Sequence, residues 1–168
     1  WMDTIRNGAF GLTNTNRLIR FYRGANGLKT GSTSKAKFCI SATAERDGME
    51  LIAVIMAADT RDARNEAAKK MLDYGFANWE LARMTPEELA PIKVLGGVAG
   101  NVRAGYSECT AVVAKGSAAK IERVFEIPEN ISAPAAAGDT VGKVSYYILD
   151  EKIAEVPITL SESVEMLE

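Results

Sequence analysis

The feature that most limits the fold of this chain is a strand–turn–strand run over residues 37–57. Residues 37–44 alternate between apolar and small polar side chains, which is typical of a strand with one buried face. Residues 49–57 are almost all apolar, which predicts a central strand covered on both faces. Asp47-Gly48 lies between the two segments and favours a tight hairpin turn. The run therefore predicts an antiparallel pair.

A helix is predicted directly after the second strand. Asp59 or Thr60 can cap its first turn, because a short polar side chain accepts a hydrogen bond from a backbone N–H there. Ala63, Ala67 and Met71 then recur at helical spacing, and Gly75 predicts the C-terminal end. The first part of the chain is thus expected to form one edge of an antiparallel sheet with a helix across it.

The second part of the chain differs in charge and composition. Residues 1–79 contain 12 Lys and Arg against 8 Asp and Glu, whereas the rest contains 8 against 14. Short apolar segments separated by turn residues predict a small β-sandwich or rolled sheet. The predicted strands are residues 92–95, 109–114, 119–127, 142–149 and 153–160, and residues 84–89 resemble a capped helical turn or a linker. We therefore predict an α+β chain with domains at 1–80 and 81–168.

Several kinds of site are excluded by composition. The chain has no histidine, which rules out a Ser-His-Asp triad, a Cys-His pair and most zinc sites. Cys39 and Cys109 lie in apolar surroundings and are expected to be buried free thiols. The net charge is −2, and no apolar run is long enough to span a bilayer. We expect no metal, no cofactor and no nucleic-acid partner. Because the sequence opens on Trp1, we expect it to be part of a longer protein.

The candidate chemistry lies at the Lys29-Thr30-Gly31 triplet, which precedes the predicted hairpin. A strand edge there would offer backbone N–H and C=O groups to an extended peptide. Lys29 supplies positive charge, Thr30 supplies a hydroxyl for a carboxylate, and Gly31 allows close approach of a substrate backbone. A lone Lys-Thr-Gly is common by chance, and taken alone the triplet favours a turn that exposes a lysine.

The wider sequence around the triplet resembles serine-type D-alanyl-D-alanine carboxypeptidases, the low-molecular-mass penicillin-binding proteins. The matching segments are Asn-Thr-Asn-Arg-Leu-Ile at 14–19, Gly-Leu-Lys-Thr-Gly at 27–31, Ile-Ser-Ala-Thr-Ala at 40–44, residues 47–54, residues 64–70 and residues 74–79. The resemblance implies the end of a penicillin-binding and β-lactamase-like antiparallel sheet. Residues 81–168 are similar to the β-rich C-terminal domain that follows the catalytic domain in that family.

The resemblance also implies roles for particular residues. Lys29 would be catalytic, supporting the polar network and attracting the substrate carboxylate. Thr30 would hydrogen-bond that carboxylate, and the backbone near Gly31 and Ser32 would line the peptide. Arg64, in the first turn of the predicted helix, would bring a bidentate donor near the cleft; its alternative is an ordinary surface ion pair. The neighbouring arginines are expected to form a solvated face: Arg17, Arg20 and Arg23.

The sequence departs from the family pattern at the nucleophile. The family places Ser-x-x-Lys and Ser-x-Asn ahead of Lys-Thr-Gly, and neither occurs in the 28 residues before Lys29. Three later pairs fit Ser-x-x-Lys by letter only: Ser32 with Lys35, Ser34 with Lys37, and Ser117 with Lys120. We therefore expect the chain to carry a substrate-binding strand without the nucleophile.

The family enzyme trims the terminal D-alanine from peptidoglycan stem peptides through an acyl-enzyme, and β-lactams inhibit it. The resemblance therefore implies stem peptides ending in D-Ala-D-Ala as partners and a place in the bacterial envelope, outside the cytoplasm. A membrane surface would be reached through an anchor after Glu168. Two alternatives stay open for this chain: a non-catalytic module that positions a protein in the envelope, and a β-lactamase-related fragment, against which residues 81–168 argue.

Overall fold

The computed structural model describes residues 2–168, and Trp1 lies outside the described residues. By residue contacts the chain divides into two compact units, one ending at Glu80 and the other running from Leu81 to Glu168. The first unit combines a small hairpin, a short helix, a three-stranded sheet and a long helix. Its elements are β1 (Met2–Ile5), β2 (Phe10–Thr13), α1 (Leu18–Phe21), β3 (Ala25–Thr33), β4 (Lys37–Arg46), β5 (Met49–Ala58) and α2 (Arg61–Asn78).

The three-stranded sheet is antiparallel in the order β3-β4-β5, with β4 in the centre. Ile40, Ala42 and Ala44 of β4 are buried, which confirms the predicted alternation. The turn to β5 has positive φ angles at Asp47 and Gly48, as a two-residue hairpin of this kind requires. The predicted α+β class is confirmed for this unit.

The environment of β5 differs from the prediction. Its only partner in the described sheet is β4, so it is an edge strand, and its apolar residues are buried on one face alone. Ile52, Val54 and Met56 are 65%, 57% and 77% exposed. The prediction of a strand covered on both faces is wrong here, because an apolar run shows what a strand could bury and not what covers it.

Helix α2 continues past Gly75, where the sequence predicted its C-terminal end. The Thr60 hydroxyl accepts a hydrogen bond from the Ala63 N–H at 3.0 Å, which confirms the cap. Gly75 lies inside the helix, and a Cβ there would come within 2.4 Å of a Leu51 methyl carbon. Gly75 therefore allows close packing of helix on strand and does not end the helix. Within residues 2–168, no helix combines the length and the apolarity needed to cross a membrane.

The second unit is almost entirely β-structure, with one turn of 3₁₀ helix at Ala118–Lys120. The strands form a four-stranded sheet (β11-β13-β14-β9), a three-stranded sheet (β12-β7-β8) and a pair (β10-β6). The first of these strands, β6, begins with the last two residues of the first unit. The bounds are β6 (Trp79–Met84), β7 (Ile92–Leu95), β8 (Asn101–Val102), β9 (Ala104–Gly105), β10 (Cys109–Ala114), β11 (Ile121–Glu126), β12 (Asn130–Ser132), β13 (Thr140–Ile148) and β14 (Glu151–Leu160).

All five predicted strands of the second unit are present, two of them with the predicted bounds. The proposed helical turn at 84–89 is wrong, since Met84 ends β6 and the following residues are irregular. Pro86 disfavours helical backbone at the residue before it. Glu87 instead contacts residues of the β-structure. Its N–H donates to the hydroxyl of Tyr106, which follows β9, at 3.0 Å, and its carboxylate pairs with Arg123 of β11 at 3.0 Å.

Strand β6 supplies part of the core of the second unit. Ala82 and Met84 are 4% and 3% exposed and pack with Val113, Val144 and Tyr146. A second cluster contains Ile92, Val94, Val102, Ala133, Leu160 and Val164. A domain boundary at Thr85 would therefore remove core residues, whereas one near Glu80 would keep them.

We expect residues 81–168 to fold as an isolated piece and residues 86–168 to be strongly destabilised. The shorter piece loses the Met84 side chain, and emptying one such buried position costs about 2–5 kcal/mol. That is a large part of the stability of a domain this small. Urea unfolding followed by circular dichroism compares the two pieces directly. Equal stability would show that β6 is dispensable, and an unfolded longer piece would show that the boundary lies elsewhere.

Candidate functional site

A cleft of about 520 Å³ opens in the first unit where three segments meet: the loop after β2, strand β3 and the first turn of α2. All five residues proposed from the sequence line it. The full lining is Thr13, Asn14, Thr15, Arg17, Lys29, Thr30, Gly31, Ser32, Arg61, Arg64 and Asn65. The structure thus brings the predicted residues together, while their roles toward a substrate stay predictions.

The Lys-Thr-Gly triplet lies in β3, at the edge of the sheet. Lys29 is exposed, and its ammonium donates to the Thr30 carbonyl at 2.5 Å. The Thr30 hydroxyl is half-buried and shares a hydrogen bond of 2.7 Å with the Thr15 hydroxyl. A Cβ built on Gly31 would meet no other atom within 4 Å, and Ser32 is exposed beside it. The strand therefore presents an open backbone and a pre-oriented hydroxyl to the cleft.

The loop that carries Thr15 is fastened to β3 by Asn16, which is 2% exposed. Its amide N–H donates to the Gly27 carbonyl at 2.7 Å, and its side-chain oxygen accepts from the Leu18 N–H at 3.1 Å. The Asn14 side chain accepts from the Asn16 backbone N–H at 2.8 Å. Sequence reasoning missed this connection, because an Asn-x-Asn segment also suits an exposed turn.

Replacing Asn16 by alanine is expected to loosen the start of β3. The substitution leaves the Gly27 carbonyl and the Leu18 N–H without their partner, at a cost of about 1–3 kcal/mol. Amide hydrogen exchange should therefore become faster throughout β3. Asn78→Ala is the matched control, since Asn78 is exposed and, among residues 2–168, its side-chain amide bonds only the Tyr74 carbonyl at the end of α2. Unchanged protection in Asn16→Ala would show that the loop does not hold the strand.

Arg64 lies in the first turn of α2, as predicted, but it is 4% exposed. Its Nε and Nη2 donate to the Asn65 side-chain oxygen at 3.2 and 3.0 Å, and Nη1 donates to the Cys39 carbonyl at 3.4 Å. The alternative of a surface ion pair is wrong: in the described part of the chain Arg64 has no carboxylate within ion-pair distance. Burial, and then repulsion from Arg61, lower the pKa of Arg64.

Two further arginines, Arg17 and Arg61, line the cleft, although the sequence did not predict them there. Arg17 was expected on a solvated face with Arg20 and Arg23, yet it alone of the three contributes to the lining. Arg61 precedes Arg64 by three positions, and its guanidinium carbon lies 5.9 Å from the centre of the Phe38 ring. No acidic residue is found among the lining residues, and residues 2–168 hold no group of three or more potential His, Cys, Asp or Glu metal ligands. The cleft is suited to an anion.

Neither cysteine side chain lines this cleft. Cys39 and Cys109 carry free thiols, as predicted, but both are half-buried instead of fully buried. The Cys39 thiol donates to the Ala36 carbonyl at 3.3 Å. Burial, and then the neighbouring Glu108 carboxylate, raise the pKa of Cys109. A raised pKa lowers the thiolate fraction, so Cys109 is not an activated nucleophile.

Two family models match most of the chain. Residues 2–60 match D-alanyl-D-alanine carboxypeptidase, and residues 87–166 match the C-terminal domain of penicillin-binding protein 5. D-alanyl-D-alanine carboxypeptidase DacF of Bacillus subtilis is 34% identical over 160 residues, which cover 93% of this chain and 41% of that protein. DacA of Haemophilus influenzae is 30% identical over 144 residues, covering 83% and 37%. The chain thus spans about two fifths of the length of these relatives.

Solved structures agree with these matches. Penicillin-binding protein 5 from Haemophilus influenzae superposes with a TM-score of 0.79 and 28% identity, over 98% of this chain and 49% of that one. PBP3 from Streptococcus pneumoniae, described as a peptidoglycan synthesis regulatory factor, gives 0.66 and 25%, over 98% and 50%. The predicted α+β fold, with its all-β C-terminal part, is confirmed. The chain belongs to the D-alanyl-D-alanine carboxypeptidase family of penicillin-binding proteins.

Proposed function

We propose that this chain provides the substrate-binding strand and the carboxylate-binding cleft of a serine-type D-Ala-D-Ala carboxypeptidase. The observation that carries the proposal is the meeting of Lys29, Thr30 and Arg64 at one cleft without an acidic neighbour in its lining. A peptide ending in D-Ala-D-Ala has a terminal carboxylate that needs such partners. The family match supports the reaction class, while the activity of the whole enzyme belongs to the proposal.

The binding step follows from the position of β3. One side of β3 pairs with β4, and its other side has no strand partner in the described sheet. An extended stem peptide can add there as a further strand, with its backbone against the open Gly31. Its terminal carboxylate then lies at the Thr30 hydroxyl, which Thr15 already orients, and Arg64 offers charge-assisted hydrogen bonds from the helix.

The chemical step needs a serine that no position ahead of Lys29 in this sequence provides in the family's Ser-x-x-Lys pattern. In the proposed enzyme its hydroxyl oxygen attacks the carbonyl between the two D-alanines, and the C–N bond breaks. The terminal D-alanine leaves with a proton on its nitrogen, and water then hydrolyses the acyl-serine ester. Lys29 contributes positive charge beside the reacting groups. A β-lactam enters the same path through its strained amide and its carboxylate.

The cellular setting of the proposal follows from its substrate. Stem peptides of peptidoglycan lie outside the cytoplasm, so we place the enzyme in the bacterial envelope, either secreted or associated with the membrane surface. Residues 81–168 would then act as the accessory β domain of that enzyme, consistent with their match to the C-terminal domain of penicillin-binding protein 5.

Peptide binding by this chain tests the proposal without requiring catalysis. A ¹⁵N-labelled sample is titrated with a short peptide ending in D-Ala-D-Ala, and the expected shifts are concentrated at residues 29–32 and at Arg64. A peptide ending in L-Ala-L-Ala is the ligand control. Thr30→Val should weaken binding, whereas Thr33→Val, at the end of the same strand, should not. No shifts at these residues, or equal effects of the two variants, would contradict the proposal.

A further inference from the structure

Strand β3 carries the Lys-Thr-Gly triplet, but its own side chains do little to fix its pairing with β4. Of its nine residues, all within the described chain, only Gly27 is buried, and it has no side chain to pack. The register of a strand is set firmly where one face is buried and weakly where the strand is polar or rich in glycine. A slip of one residue would turn Lys29 and Thr30 to the opposite faces of the sheet. Another contact must therefore hold β3 in its register.

The pairing of β3 with β4 contains one extra residue, Asn26. Ala25 lies opposite Ala44, and from Gly27 onward the pairing is displaced by one position from that register. Such an insertion is a β-bulge, a feature that redirects the side chains of the strand after it. Because Ala25 and Lys29 are four residues apart, they would share one face of a regular strand. The bulge places them on opposite faces, so it determines which face of the sheet Lys29 occupies.

Side-chain hydrogen bonds hold the bulge across all three strands of the sheet. The Thr43 hydroxyl of β4 donates to the Asn26 side-chain oxygen at 2.6 Å, and the Asn26 amide donates to the Glu50 carboxylate of β5 at 3.0 Å. Thr43 is buried, so water competes little for its hydroxyl. A Cβ on Gly27 would come within 2.6 Å of the Thr43 hydroxyl oxygen, so the absence of a side chain there makes room for this bond. We call Asn26, Thr43 and Glu50 the register lock.

The residue after the bulge is also the attachment point of the cleft loop. The Gly27 carbonyl accepts from the Asn16 amide at 2.7 Å, and three residues later the Thr30 hydroxyl bonds the Thr15 hydroxyl at 2.7 Å. Both contacts require the observed register, because a slip of β3 moves the Gly27 carbonyl and the Thr30 hydroxyl away from their partners together. Among the described residues that line the cleft, none belongs to the register lock. The lock therefore acts on the cleft through β3.

We propose that the register lock positions the substrate strand, by holding β3 in the register that presents Lys29 and Thr30 to the cleft. Its three residues are positioning residues and do not touch the substrate. The consequence for peptide binding rests on the proposed function, whereas the register is a property of this chain. Without the lock, β3 is expected to populate a second register that does not bind the peptide. The apparent Kd then rises by the inverse of the fraction that stays in the observed register.

Cross-strand NOEs in the isotope-labelled chain measure the register directly. Thr30 lies opposite Ile40, so the unsubstituted chain should show backbone NOEs between them; without the bulge, Thr30 would lie opposite Cys39. Asn26→Ala removes both bonds of the lock, and each bond is worth about fivefold in such an equilibrium. We expect a second set of β3 resonances with the slipped NOEs, and about tenfold weaker binding of the peptide ending in D-Ala-D-Ala.

A pair of substitutions at Thr43 separates the register from the stability of the sheet. Thr43→Val keeps the branched shape but removes the hydroxyl, and it should show the slipped NOEs. Thr43→Ser keeps the hydroxyl and should retain the observed register. Glu45→Ala is the matched control, since Glu45 lies directly opposite Glu50 but outside the lock. A role in stability alone would lower the urea midpoint of Thr43→Val without changing its NOE partners, and would overturn the inference.

The remaining outcomes also decide the inference. The observed register in both Asn26→Ala and Thr43→Val would overturn it, and so would slipped NOEs in Glu45→Ala. If Asn26→Ala does not fold, Thr43→Val and Glu50→Ala decide, because each breaks one bond of the lock. Slipped NOEs in a chain that binds no D-Ala-D-Ala peptide would support the lock and contradict the proposed function. Peptide binding that a demonstrated slip leaves unchanged would overturn the positioning role.

Discussion

Replacing Lys29 by alanine is expected to slow penicillin acylation about 10²–10³-fold in an enzyme that joins this chain to a Ser-x-x-Lys segment. Lys29 lies on the open edge strand and lines the cleft beside Thr30. Removing a pre-organised charged donor from such a site costs roughly 2–4 kcal/mol of transition-state stabilisation, which corresponds to that change in rate. The rate of labelling by a fluorescent penicillin measures the effect.

Protein stability separates a catalytic role of Lys29 from a structural one. Within residues 2–168, its polar contact is with the adjacent Thr30 carbonyl, so the melting temperature should change little. Lys37→Ala is the matched control: Lys37 pairs with Asp59 at the surface, and such pairs contribute about 0–1 kcal/mol. Equal losses of acylation in the two variants, or unfolding of Lys29→Ala, would mean that the triplet is a structural turn.

Local signals predicted the hairpin and the helix start well. The alternation before Asp47-Gly48, the two glycine-compatible φ angles of that turn and the Thr60 cap all depend on residues close together in sequence. For the same reason, the sequence placed Arg64 correctly in the first turn of α2. Its burial was not predictable, because it results from packing against the Cys39 carbonyl, 25 residues earlier.

The cleft residues that the sequence did not predict are brought there by long-range contacts. The Thr15 hydroxyl bonds the Thr30 hydroxyl across 15 residues, and Arg17 lines the cleft from a loop in which Asn16 bonds the Gly27 carbonyl. Nothing in the local sequence distinguishes Arg17 from the exposed arginines that follow it. Arg61 lay within the predicted helix start, and the signal that could have identified it is its spacing of three residues from Arg64.

The strands of the second unit that the sequence did not predict are short or lack an alternation of apolar and polar residues. β8 and β9 have two residues each, and β12 has three and pairs in parallel with β7. Such segments are defined by their partners and carry almost no pattern of their own. β6 was missed because Glu80 and Arg83 interrupt its apolar residues, although Ala82 and Met84 belong to the core.

The three Ser-x-x-Lys matches within the chain do not lie where a nucleophile could be activated. In the first match, Ser32 lies in β3 and Lys35 lies in the turn that follows. In the second match, Lys37 is the first residue of β4 and pairs with Asp59. The third match spans a single 3₁₀ turn at Ala118–Lys120, in the other unit, with Ser117 just before the turn and Lys120 at its end. In none of them do serine and lysine share the first turns of an α-helix, where residues three apart face each other.

The chain of 168 residues is therefore expected to form no covalent adduct with penicillin and to release no D-alanine from a D-Ala-D-Ala peptide. An unactivated serine hydroxyl is a weak nucleophile, and without a neighbouring base the acylation barrier stays near that of the uncatalysed reaction. Incubation with excess fluorescent penicillin, followed by denaturing electrophoresis and intact-mass analysis, should show no stoichiometric label. A stoichiometric label that survives denaturation would contradict this expectation. If that label persisted in Ser32→Ala but disappeared in Ser117→Ala, the nucleophile would lie in the second unit and the assignment of the cleft to the reaction would be wrong.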